Sequence, residues 1–224
     1  MDDFSTQVCG LGALAEPARR ALYLYVIDQQ EPVSRDQAAA GAGLPRHTAT
    51  FHLDRLVADG LLDTEFRRLS GRRGPGAGRP AKLYRRADRQ IAVTLPPRRY
   101  DLVAQILAAG VERAARSGVP VEEAVRAAAA DTGRRIAAAA TPARSLGDIA
   151  GILAGHGYEP HVDGDTVVLA NCPFHALARE HSALVCGLNL DLVAALLDML
   201  GNGVSARLDP APGRCCVVVQ SGRE

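Results

Sequence analysis

No uninterrupted apolar run in these 224 residues approaches the roughly 20 positions that a bilayer-spanning helix needs. The opening Met1-Asp2-Asp3-Phe4 is acidic where a secretory leader would be basic, and no small-residue cleavage site follows an apolar stretch. The expectation is a cytoplasmic protein with no membrane partner. A phosphate-cradling P-loop is also missing, because the basic, glycine-rich residues 71–79 lack the Lys-Ser/Thr pair and the strand-loop-helix setting. No nucleophile, base and orienting group recur together in the pattern, so an enzyme is not expected. Cysteine is scarce, at 5 residues, but 4 of them (Cys172, Cys186, Cys215 and Cys216) fall in the last quarter of the chain. In a reducing compartment structural disulfides are disfavoured, so such a cluster points to metal ligands, redox sensing or buried packing. Cys9, isolated near the other end, is read as incidental.

What is present suits two domains and a connecting element. The apolar fraction, 47%, is that of a globular protein. The net charge of +1 hides a local excess: Arg67 to Arg89 holds 9 basic residues and only Asp88 as an acid. Basic charge concentrated beside a helical module is an electrostatic footprint for phosphate, although such runs also occur as plain solvated faces.

Pro17 can open a helix that carries Ala18, Leu22, Tyr25 and Val26 at helical spacing to Asp28. Ser34, with Gln37 three residues on, reads as the capped start of a second short helix ending near Gly41. A third, entered at Leu44 and stopped at Gly60, puts Ala49, Leu53, Leu56 and Val57 on one face and turns Arg46, His47, Thr50, Phe51 and Arg55 away from it. Residues 61–67 and Ala81 to Arg86 read as paired strands around a basic loop, residues 69–80. The stretch Gly43-Leu44-Pro45-Arg46-His47-Thr48-Ala49-Thr50-Phe51-His52-Leu53-Asp54-Arg55-Leu56 resembles the recognition helix of winged-helix regulators of the ArsR type. The resemblance implies double-stranded DNA as a partner, with the helix in the major groove and the wing on the backbone. Arg46, His47, Thr48, Thr50 and Arg55 are then the candidate groove contacts, and Arg72, Arg73, Arg79 and Lys82 the candidate wing contacts. His52 is a candidate for either DNA contact or helix packing.

After Pro96-Pro97, Tyr100, Val103, Ile106, Leu107, Gly110, Val111 and Ala114 form an apolar stripe on a helix running to Ser117, and alanine-rich residues follow Pro120. The stripe suits a homodimer contact, since symmetric regulators read pseudo-palindromic sites, or packing inside its own chain. From Ser145 the pattern changes to a helix to His156, strands at 159–162 and 166–170 around Asp163-Gly164-Asp165, helices at 173–181 and 188–200, and strands at 204–208 and 215–219. The expected fold class is mainly α with small sheets (α+β). It comprises a winged helix-turn-helix at 1–95, a helical linker or dimerisation element at 96–143 and a small α+β sensor domain at 144–224.

Cys172, Cys186 and Cys215, with His175, His181 or Cys216 as further donors, suit an iron-sulfur cluster or tetrahedral zinc equally by ligand type. Bare redox thiols and packing cysteines remain alternatives. His175 and His181 lie off a common helical stripe, so at most one is expected to ligate. Asn171-Cys172-Pro173-Phe174-His175, Val185-Cys186-Gly187-Leu188-Asn189 and Pro212-Gly213-Arg214-Cys215-Cys216 are similar to the sensor end of the iron-sulfur-dependent Suf-operon repressors. That resemblance implies a 2Fe-2S or 4Fe-4S cluster on Cys172, Cys186 and one of Cys215 or Cys216. It also implies a repressor that binds DNA when loaded and releases it on cluster loss. Strand alternation would let only one of the adjacent pair reach the site, with Cys215 favoured. The alternative is a winged-helix regulator with a zinc site or an apolar small-molecule effector pocket in the C-terminal domain.

Overall fold

The computed structural model describes residues 3–68, 80–201 and 203–222. Its contacts divide the chain into two compact units, Met1–Val93 and Thr94–Glu224.

The first unit begins with α1 (Asp3–Ala13), a helix that the apolar pattern did not announce. It is followed by α2 (Pro17–Asp28), whose start is fixed by the Glu16 carboxylate accepting the backbone N–H groups of Ala18 and Arg19 at 3.1 and 2.6 Å. After β1 (Val33–Ser34), α3 (Arg35–Gly41) opens on the anticipated reciprocal cap: Gln37 N–H donates to Ser34 Oγ at 3.3 Å, and Ser34 N–H to Gln37 Oε1 at 2.8 Å. Ser34→Ala should therefore lower the unit's unfolding free energy by about 1 kcal/mol in chemical denaturation. Helix α4 (Arg46–Ala58) buries Ala49, Leu53 and Leu56 at the expected spacing. The strands β2 (Leu62–Arg67) and β3 (Ala81–Arg86) pair antiparallel from Leu62↔Arg86 to Arg67↔Ala81, and β1 joins the other edge of β3. Leu22, Val26, Leu53, Leu56, Leu62 and Tyr84 form the core beneath them. The wing residues Arg72, Arg73 and Arg79 lie outside the described residues.

The second unit contains α5 (Tyr100–Ser117), α6 (Val121–Ala139), α7 (Leu146–Gly155), β4 (Pro160–Asp163), β5 (Thr166–Leu169), α8 (His175–Glu180), α9 (Ser182–Leu200), β6 (Val204–Leu208) and β7 (Val217–Ser221). Its sheet is antiparallel throughout, in the order β4-β5-β7-β6. The turn between β4 and β5 uses Gly164 at φ +59, a backbone conformation glycine adopts without a Cβ clash.

Residues 96–143, expected as a separate connecting element, belong to this unit and share its core. Small side chains explain this. On α6 the buried face is Ala124, Ala128, Ala129, Thr132 and Gly133, so α9 approaches until a Cβ placed on Gly133 would lie 2.1 Å from Leu192 O. The α5 stripe is used in the same way: Val103, Ile106, Gly110 and Ala114 are buried within the unit, and a Cβ on Gly110 would stand 2.5 Å from Val125 Cγ2. Val111 of the stripe remains exposed.

Two boundaries differ from expectation in ways that move the cysteines. Helix α9 starts at Ser182, not near residue 188, because Gly187 is carried inside it at modest cost. Cys186 therefore sits on the second turn of a long helix and not at a bend. By length and composition α9 could cross a bilayer, yet it packs Val185, Leu188, Leu192, Val193 and Leu196 into the core of this unit. Strand β7 starts at Val217, which leaves Cys215 and Cys216 before the strand.

Candidate functional site

On α4 the core stripe leaves Arg46, His47, Phe51 and Arg55 exposed. Arg46 Nε is 2.6 Å from Asp36 Oδ1, and Arg55 Nε donates to Asp59 Oδ2 at 3.0 Å. Both guanidiniums are thus held in place at the surface with donors remaining, as a groove-reading side chain requires. Thr48 is half-buried, as is Thr50, whose hydroxyl donates to Arg46 O at 2.8 Å. His52 turns inward, with Nδ1 buried and 3.7 Å from Glu16 Oε2, and its ring meets Phe51 edge-on at 5.2 Å. Lys82 bonds Asp54 at 2.6 Å and stands 5.2 Å over the Tyr84 ring, tying the wing's return strand to α4. Phe51 is a residue that sequence reasoning placed off the core but gave no role; it is 67% exposed in the middle of the helix. An aromatic on the polar face was the signal.

The second candidate site is a pocket of about 190 Å³ lined by Cys172, Cys186, Cys215, Cys216, His175, Arg179 and Arg214. Cys172 follows β5 on a loop pinned by Asn171, whose amide donates to Pro97 O at 2.9 Å and Gly157 O at 2.7 Å. Arg98 bonds both Asn171 Oδ1 and, at 3.0 Å, Cys172 O. Cys215 is tied to the same strand end by its N–H to Leu169 O at 2.8 Å. Cys186 comes from α9, while His175 and Arg179 come from α8. The four thiols act on one another electrostatically in a row, Cys172 with Cys215, Cys215 with Cys216 and Cys216 with Cys186.

Both members of the adjacent pair line the pocket, which corrects the expectation that only one would. Alternation applies to extended strands, and these two residues precede β7. Of the histidines, His175 lines the pocket; His181 is exposed at the junction of α8 and α9.

Cys172, Cys186 and Cys215 are weaker acids here than a free thiol. Cys172 is pushed far up by its bond to Cys215 and by burial. The Cys172 bond favours the Cys215 thiolate, but the bond to Cys216 and burial outweigh it and raise that thiol to about 11. Burial raises Cys186 against the opposing effect of its bond to Cys216. A cation entering the pocket must therefore displace protons. Arg214 donates to Asp209 at 2.9 Å through Nη2, while its Nη1 is buried with no hydrogen-bond partner among the described residues. Also among the described residues, no group of three or more His, Cys, Asp or Glu side chains is already set as a coordination sphere for a metal ion.

Residues 14–65 match the family described as a helix-turn-helix domain. The N-terminal unit carries a helix-turn-helix. No curated protein and no solved structure matches the chain. The matched helix-turn-helix spans α2, β1, α3, α4 and the first part of β2, so α4 is its second helix, the one that in helix-turn-helix domains enters the major groove. The helix-turn-helix domain supports a DNA-binding transcription regulator. Arg46→Ala should weaken binding and change which base is preferred at one position of a selected DNA site, by about 1–3 kcal/mol of discrimination. Competition binding against single-base variants checks it; equal losses across all variants would reduce Arg46 to a phosphate contact.

Proposed function

We propose that the protein is a homodimeric transcriptional repressor whose operator affinity is set by an iron-sulfur cluster held by Cys172, Cys186, Cys215 and, at its outer side, Cys216 or His175. The observation that carries this is the meeting of four soft sulfurs from three separate chain segments in one pocket beside two arginines. The donor set fits the group: thiolates are the ligands that such clusters take, and Arg179 and Arg214 would balance the negative charge that they bring. When bound, the cluster supplies one-electron chemistry and sensitivity to oxidants at its most accessible ligand. The chain's residues do the rest. Asn171 and Arg98 hold the Cys172 loop, and the Cys215 N–H ties the β7 approach to the end of β5.

A bare thiol switch is a poorer reading, because reactive sensor cysteines have lowered, not raised, pKa values. An effector pocket has one observation in its favour: a groove of about 840 Å³ in the same unit, lined by Leu102, Ile136, Ile152, Arg135 and the glycines of α7. That groove is roomier than the cysteine pocket but gathers no soft donors, and the metal reading is preferred on chemistry over size. Dimerisation rests on the symmetry of helix-turn-helix recognition. Purification without oxygen tests the proposal. Iron, acid-labile sulfide and thiolate-to-iron absorption in the visible are expected; stoichiometric zinc, or metal-free protein after reconstitution, would refute the cluster.

A further inference from the structure

Behind the cysteine pocket lies a buried polar pair that no part of the helix-turn-helix requires. Tyr158, 2% exposed, follows α7, and Asn189, 1% exposed, interrupts the apolar face of α9 between Leu188 and Leu192. The Tyr158 hydroxyl donates to Asn189 Oδ1 at 2.5 Å, which fixes the amide plane. With its oxygen so occupied, the amide nitrogen Nδ2 donates to Cys215 Sγ at 3.3 Å. Burying an amide and a phenol in an apolar core is unfavourable unless their hydrogen bonds are made, and two apolar residues of similar shape would avoid the cost altogether. The pair's one outlet is a sulfur of the pocket.

The sulfurs are not equivalent. Cys215 accepts the Asn189 amide, a donor that the structure gives to none of the other three sulfurs among the described residues. Cys172 and Cys215 are buried, whereas Cys186 and Cys216 are partly open. The pocket thus has a buried inner side, where Cys215 carries an N–H donor, and a partly open outer side at Cys186 and Cys216.

Resting on the iron-sulfur reading above, we propose that Asn189, oriented by Tyr158, is a positioning residue that makes Cys215 the inner ligand and sets the reduction potential of the bound cluster through its N–H···S hydrogen bond. A donor to a ligating sulfur stabilises the more electron-rich state, so the bond raises the potential. Cys216, without such a donor among the described contacts, is the outer sulfur.

The test uses the full chain reconstituted with iron and sulfide under anaerobic conditions, in the wild type, Asn189→Leu and Tyr158→Phe. Both variants should take up iron and show a midpoint potential shifted downward, with Asn189→Leu shifted further, together with altered visible circular dichroism. Arg116→Ala, exposed on α5, should keep the wild-type potential. Should Asn189→Leu fail to fold, Tyr158→Phe decides alone, since it keeps the ring and removes only the hydroxyl that holds the amide. Loaded variants with wild-type potential and dichroism would overturn the role of Asn189 while leaving the cluster in place. A wild type that takes up no iron would overturn the cluster and this inference together.

Discussion

Alanine at Gly133 is expected to destabilise the C-terminal unit by about 1–3 kcal/mol or more, read as a lower denaturation midpoint, because the added methyl has nowhere to go. Its Cβ would stand 2.1 Å from Leu192 O and 3.0 Å from Leu196 N, and these are backbone atoms of α9 that cannot rotate aside. Helix α9 must move. Since α9 carries both Cys186 and Asn189, the same substitution should also reduce iron uptake. Gly151→Ala is the matched control: it is a helical glycine with nothing within 4 Å of the added carbon. Helix propensity alone should there stabilise by up to about 1 kcal/mol. Equal midpoints for the two variants would mean that the close approach of α6 and α9 is not what organises the unit.

Serine at Cys172, Cys186 and Cys215 together should abolish metal and cluster binding while DNA binding persists at the affinity of the stripped protein. Oxygen in place of sulfur removes the soft ligands, and loss of all three leaves only Cys216 and His175 as donors of that kind on the pocket wall. The variant's operator affinity should no longer respond to iron and sulfide. Cys216→Ser alone should leave a bound chromophore that oxygen bleaches at a changed rate, as befits an outer position. An effector-controlled regulator would behave differently, switching normally in the triple variant and losing its response when Arg135 or Ile152 of the larger groove is altered.

Much of the fold was legible because the periodicity was strong where it mattered. The Ser34–Gln37 cap and the Ala49, Leu53 and Leu56 stripe of α4 follow from local rules, and the structure forms them where those rules place them. The hairpin at Gly164 does the same. Helix α1 was not legible, since Ser5, Thr6, Cys9 and two glycines interrupt any stripe over a short segment. The reach of α9 was hidden by Gly187, whose helix-breaking tendency is weaker than the core contacts on either side of it. The grouping of four cysteines late in the chain was legible from composition, and the structure brings them to one pocket. What composition did not show is that the Cys215-Cys216 pair sits before β7, where side-chain alternation does not apply. Asn189 and Tyr158 were invisible in the sequence because a polar residue within an apolar helix, and a tyrosine after a helix end, acquire meaning only when the fold brings the first beside a sulfur and the second beside the first. Helix α4 was readable from its core side; its exposed Phe51 was readable only as an omission from that side.

The most direct test is operator affinity measured on one preparation before and after the cluster is removed, at fixed salt, on a DNA site selected with the loaded protein. The loaded form should bind about 5–150-fold more tightly, the range of an ordinary coupling free energy between two sites, and reconstitution should restore it. The same affinity with and without the cluster would contradict the account, because a ligand that does not distinguish the two states of the protein cannot switch it.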